Sequence, residues 1–144
     1  MNSTNTFSKT FAIICILLCF NVFCNSFAQD YRGGNNAYLG RIESDGTVRN
    51  ASNSRIGKIE TDGTIRNASN SRVGKIESDG TIRNGSNSRI GKVENDGTVR
   101  DAYNSRLGKI ENDGTVRNAS GSCVGYDKGI DSRKAAVIFF MKLL

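Results

Sequence analysis

Gly57-Lys-Ile-Glu-Thr-Asp-Gly-Thr-Ile-Arg-Asn-Ala-Ser-Asn-Ser-Arg-Val73 decides the fold, because it recurs with few changes every 17 residues. Asp-Gly-Thr returns at Asp45, Asp62, Asp79, Asp96 and Asp113. A second glycine column runs Gly40, Gly57, Gly74, Gly91, Gly108 and Gly125. Such a period marks an architecture of small units that bury their apolar faces against one another. Each unit reads as two short strands, Arg55 to Glu60 and Thr64 to Asn67, with β-branched residues between turn signals.

Register chooses the turn. A two-residue Asp62-Gly63 loop would pair Glu60 with Ile65 and set a charge on the apolar face. A three-residue Thr61-Asp62-Gly63 loop pairs Ile59 with Ile65, and is a type I turn followed by a left-handed glycine. In the other direction Ile65 and Val73 are expected to pair across the turn Ala68-Ser69-Asn70. Each unit then puts three apolar residues on one side, such as Ile59, Ile65 and Val73. Ile56 and Ile59 are out of phase with simple alternation, and a bulge at the Gly57 column restores it.

Isolated hairpins this poor in apolar surface are marginal in water, so the units must share a core. A closed ring of five hairpins, about ten strands, and a β-solenoid both achieve this. The Asp-Gly hairpin chemistry favours the ring, because it makes antiparallel neighbours. So does the half-unit Tyr38-Leu39 before Gly40, which matches Cys123-Val124 before Gly125. Closure also removes sheet edges. The expectation is an all-β, five-fold pseudo-symmetric shallow barrel spanning residues 38–126.

Ala135-Ala-Val-Ile-Phe-Phe-Met141, followed by Leu143 and Leu144, is the one continuous apolar run after the N-terminal segment. Ten strands lined only by Ile, Val and Leu would leave a hole, whereas about eight can be filled by their own side chains. The run, with its linker spanning 127–144, is expected to enter that hole as a helix, which satisfies its own backbone. An eleventh strand, suggested by Val137 to Phe140, is the alternative.

The repeated Gly-x-Ile-x-x-Asp-Gly-Thr-Ile-Arg-Asn unit, with its Ala-Ala-then-aromatic terminus at Ala135 to Phe140, resembles the five-fold β-flower family of bacterial exported proteins. The resemblance covers residues 38 to 144. It implies a shallow β-barrel and no assigned biochemical activity. The chain departs from the pattern after Gly125, where Tyr126 and Asp127 replace the usual Lys-Ile step.

Residues 1–28 read as a signal peptide: Lys9 in the n-region, an apolar run from Phe11 to Phe20, and small residues Ser26 and Ala28 before a cut ahead of Gln29. The apolar run is far shorter than the roughly 20 residues that span a bilayer. A lipidated Cys24 would need a small residue before it, and Phe23 is large. Residues 29–37 are then an N-terminal extension, and the destination is the periplasm, cell envelope or exterior. Cleavage removes Cys15, Cys19 and Cys24, so Cys123 is left without a disulfide partner. The full chain carries a net charge of +6. From Gln29 onward 19 Lys and Arg face 14 Asp and Glu, a charge that does not call for nucleic acid.

Histidine is absent, which removes the commonest general base and metal ligand. A five-times-repeated surface offers no unique nucleophile or acid–base pair, so an enzyme is not expected. Calcium would need several ligands from one loop, a pattern not found here, and Asp-Gly is explained by the turn. No cofactor or metal is expected. Arg49, Arg66, Arg83, Arg100 and Arg117 form a column that closure could turn into a ring for a small anion or anionic glycan. Arg55, Arg72, Arg89 and Arg106 make a second basic column. The competing reading is a solvated face neutralised by Glu43, Glu60, Glu77, Glu94 and Glu111 together with the Asp column. Cys123 stands where other units have Arg and has no His to activate it. The Asn-x-Ser triplets at Asn50, Asn67, Asn84 and Asn118 read as turn formers. The function expected is a non-catalytic structural or binding module, with an anion receptor or a membrane-docking protein using the apolar C-terminus as alternatives.

Overall fold

The computed structural model describes residues 28–144. The expected signal peptide and its three cysteines, up to residue 27, lie outside the described residues. The rest is a closed antiparallel barrel of twelve strands and a short C-terminal helix. The strands are β1 (Gln29–Gly33), β2 (Tyr38–Ile42), β3 (Thr47–Asn50), β4 (Arg55–Ile59), β5 (Thr64–Asn67), β6 (Arg72–Ile76), β7 (Thr81–Asn84), β8 (Arg89–Val93), β9 (Thr98–Asp101), β10 (Arg106–Ile110), β11 (Thr115–Asn118) and β12 (Cys123–Asp127). Each pairs with its sequence neighbours, and β1 closes the barrel on β12.

The expectation of five hairpins and about ten strands is therefore corrected to six strand pairs. Of the two extra strands, β1 comes from the segment read as an N-terminal extension and β12 from the closing half-unit at the other end. Asp30-Tyr31-Arg32 stands 17 residues before Thr47-Val48-Arg49 and is a degenerate copy of it. Tyr31 pairs with Gly40 just as Val48 pairs with Gly57. The copy lacks β-branched residues and the Asp-Gly-Thr signature, which hides it in the sequence. At the other end Tyr126 and Asp127, despite leaving the repeat pattern, complete β12 and pair with Arg32 and Tyr31.

Two turn types alternate. At the Asp-Gly end Ile59 faces Ile65, the Gly63 amide donates to the Glu60 carbonyl at 3.0 Å, and Gly63 has φ +86°, a region open mainly to glycine. At the opposite end Asn70 holds the equivalent position at φ 65°, and Asn67 Oδ1 accepts the Ser71 amide at 3.0 Å. These Asn residues are turn formers, as their short polar side chains allow. The bulge expected beside the glycine column is present on every long strand from β4 to β12. It corrects one pairing: Ile65 faces Gly74, not Val73, because Val73 is the extra residue of the bulge.

Pleating sends alternate residues inward. Val48, Ile65, Ile82, Val99 and Val116 are fully buried at equivalent positions, and Tyr31 takes the sixth. Ile42, Ile59, Ile76, Val93 and Ile110 fill a second set, in which the sixth member is Asp127. The apolar run enters this interior as α1 (Ser132–Ala136) followed by a π-type turn, Val137–Met141, with Ala135, Ala136 and Val137 buried. All twelve strands already have two partners, so the barrel has no free edge for a further strand. A helix needs none.

The glycine column is the socket for this segment. A β-carbon at Gly125, Gly108, Gly91, Gly74 or Gly57 would press on Phe139, Phe140, Met141, Leu143 or Leu144 in turn. At Gly40 it would meet the Tyr31 ring. Six glycines thus receive six large side chains, five from the tail and one from β1. Tyr31 and Phe139 meet edge to face with centroids 6.2 Å apart.

Candidate functional site

With the interior filled, chemistry is left to the outer wall and the two rims. Since Ile65 points inward, Arg66 points out, where it faces Lys58 on one side and Arg72 on the other. Like charges placed directly opposite repel. The strand supplies the remedy six residues earlier: Arg66 Nε donates to Glu60 Oε1 at 2.9 Å and Nη1 to the Asn70 carbonyl at 3.1 Å. Arg49, Arg83 and Arg100 repeat the arrangement with Glu43, Glu77 and Glu94 at 2.8–2.9 Å. Arg117 lies 3.7 Å from Glu111. The bond from Arg49, then that from Arg41, holds the Glu43 carboxyl below its ordinary range.

The five arginines of the first column are thus distributed around the outside of the wall. Each is strapped to a glutamate, and the structure does not bring them together in one site. Each strap ties a long strand to its neighbour across the Asp-Gly turn.

The Asp column is held by its own turns. Asp62 Oδ1 accepts the Thr64 amide and Oδ2 the Thr64 hydroxyl, both at 2.9 Å, and Thr64 is buried beneath. These bonds, led by the amide, lower the pKa at all five aspartates, in Asp45 to about 2. This rim is acidic.

The second basic column behaves differently. Arg55 Nη2 reaches only Asn70 Oδ1, at 3.4 Å. Arg72, Arg89 and Arg106 are exposed, and among the described residues they form no ion pair or side-chain hydrogen bond. They sit at the Asn-turn rim, next to bulge residues Ile56, Val73, Ile90 and Leu107, which are half-buried beside the tail. Cys123 occupies the same column on β12, its thiol 3.5 Å from the Gly125 carbonyl.

Asp127, which in the sequence marks only a departure from the repeat, stands at an inward position where the other units have Ile or Val. It is 6 % exposed, and its Oδ2 has no hydrogen-bond partner among the described residues. Burial raises its pKa, against the opposing amides of Ile130 and Gly129. Grooves run between α1 and the Asp-Gly turns; one is lined by Asp113, Asp127, Asp131, Gln29 and Lys134. Among the described residues no set of carboxylates or thiols is grouped as a metal site.

The family model for the 5-fold beta-flower protein matches residues 28–142. No curated protein and no solved structure matches the chain.

Proposed function

The chain belongs to the 5-fold beta-flower protein family, and we propose that it is a non-catalytic, exported structural or binding module of the cell envelope. The observation that carries this reading is the filled axis. Phe139, Phe140, Met141, Leu143 and Leu144 occupy the glycine sockets, so the barrel meets partners with its rims and outer wall, not with a central cleft. The repeated polar residues have structural work: Asp and Asn shape turns, and Arg–Glu pairs tie strands. Lys9, the apolar run after it and the small residues before Gln29 support export. In the alternative, where Arg49, Arg66, Arg83, Arg100 and Arg117 take a small anion or glycan, each guanidinium would have to release its glutamate or share it.

Export is tested by mass spectrometry of the protein recovered from fractionated cells. The expected species begins at Gln29 and is found in the envelope, periplasm or medium. Recovery of the intact chain from the cytoplasm would overturn the reading.

A further inference from the structure

We propose that the Asn-turn rim docks on an anionic phospholipid bilayer, with the second arginine column as the charged contact and the rim of the plugged barrel as the apolar one. This names a partner for the envelope module proposed above and rests on that reading. Arg55, Arg72, Arg89 and Arg106 lie on alternate strands, β4, β6, β8 and β10, so neighbours are about 10 Å apart along an arc of the rim. Unlike the Arg66 column, among the described residues they have no carboxylate to neutralise them. Lys142, exposed at the end of the tail, adds a fifth cation. Asp101 is the one side-chain carboxylate among the turn residues and strand ends of this rim, and its Oδ1 accepts the amides of Tyr103 and Ser105.

Within the arc the surface is apolar. Ile56, Val73, Ile90 and Leu107 are half-buried, and so are Phe139, Phe140, Met141, Leu143 and Leu144. At the edge Leu39 is 42 % and Tyr103 90 % exposed. Tyr103 occupies a turn position where other units have serine, and tyrosine is the residue type that settles at the headgroup level of membranes. Unpaired cations around an apolar centre match the two contacts that an anionic lipid surface offers. A soluble polyanion would use the arginines and leave the apolar centre unused, so the bilayer is the partner the rim fits better.

The test uses residues 28–144, which close into a barrel, and sedimentation with vesicles. The protein should pellet with vesicles containing phosphatidylglycerol, and remain in solution with pure phosphatidylcholine or at high salt. Each arginine is expected to contribute roughly fivefold, so R72S/R89S/R106S should bind about a hundredfold more weakly. Among the described residues these side chains touch no carboxylate, and an unchanged thermal midpoint would show that the variant folds. Tyr103→Ser should weaken vesicle binding while leaving retention on dextran sulfate unchanged. Absence of pelleting with anionic vesicles would overturn the proposal, as would equal pelleting of the triple variant. Vesicle binding untouched by Tyr103→Ser, with retention on dextran sulfate, would reassign the rim to soluble polyanions. None of these failures affects export, which the fractionation experiment decides separately.

Discussion

At the scale of single residues, the barrel depends on where a side chain is missing. A β-carbon built at Gly108 would lie 2.7 Å from Phe140 Cζ and would also press on the Arg117 carbonyl. Neither can yield easily, since the ring fills the socket and the carbonyl belongs to the neighbouring strand. Gly108→Ala should therefore destabilise by roughly 1–3 kcal/mol, read from the shift in a denaturant midpoint. Gly85 is the contrast. It sits in a turn where other units carry Ala51, Ala68 and Ala119, and Gly85→Ala should be neutral or stabilise by up to about 1 kcal/mol through the unfolded chain. Asp127 is a residue-scale cost of another kind. Burial raises its folded-state pKa above the unfolded value, so the protein is favoured while this group is protonated. That contribution is complete below the unfolded pKa and fades as pH rises through the folded one. Asp127→Asn should raise the thermal midpoint at pH 7, and the gain should shrink well below pH 4.

At the scale of the element, the Asp-Gly turn links secondary structure to solution conditions. Its carboxylate holds the Thr amide and hydroxyl together, which positions the first residue of the short strand. All five of these aspartates have folded pKa values below the ordinary 3.8, with Asp45 at about 2. A lowered folded pKa means stability that is complete above the unfolded value and is lost as pH falls through the folded one. In an Asp127→Asn background, which removes the opposing trend, thermal midpoints measured against pH should hold level above pH 5 and fall between about pH 4 and pH 2. Replacing several of the turn aspartates with Asn should lower the plateau and flatten that fall. The opposite turn has Asn at positive φ in place of Gly, except at Gly121, and is held by an amide oxygen, as where Asn67 Oδ1 accepts the Ser71 amide.

At the scale of the whole molecule, closure and filling are separate requirements, and each can be removed. A chain beginning at Gly34 lacks β1 and leaves β2 and β12 as bare edges. It should lose cooperative unfolding or associate through those edges, as seen by calorimetry and size-exclusion chromatography. A chain ending at Lys134 keeps every strand but empties the sockets, and should bind a hydrophobic dye and unfold at lower denaturant. Much of this was legible beforehand. The period of 17, the three-residue turns, the Ile59–Ile65 pairing, the bulge at Gly57 and the helical choice for the tail all follow from residue patterns that act locally. The sixth strand pair was not legible, because Asp30-Tyr31-Arg32 keeps only the arginine and the spacing of the unit. The candidate surface was half legible: both basic columns stood out, but not the difference between them.

Sequence alone determined the unit, its turns and the need for a shared core, because those rest on backbone preferences and on alternation within a few residues. Tertiary structure decided how many units close the circle, which glycine accepts which side chain, and which arginines keep a glutamate within reach. Those outcomes depend on strands far apart in the chain arriving side by side. Arg66 and Arg72 look interchangeable in a list of basic residues. Only the pleat and the register put Glu60 beside the first and leave the second facing solvent.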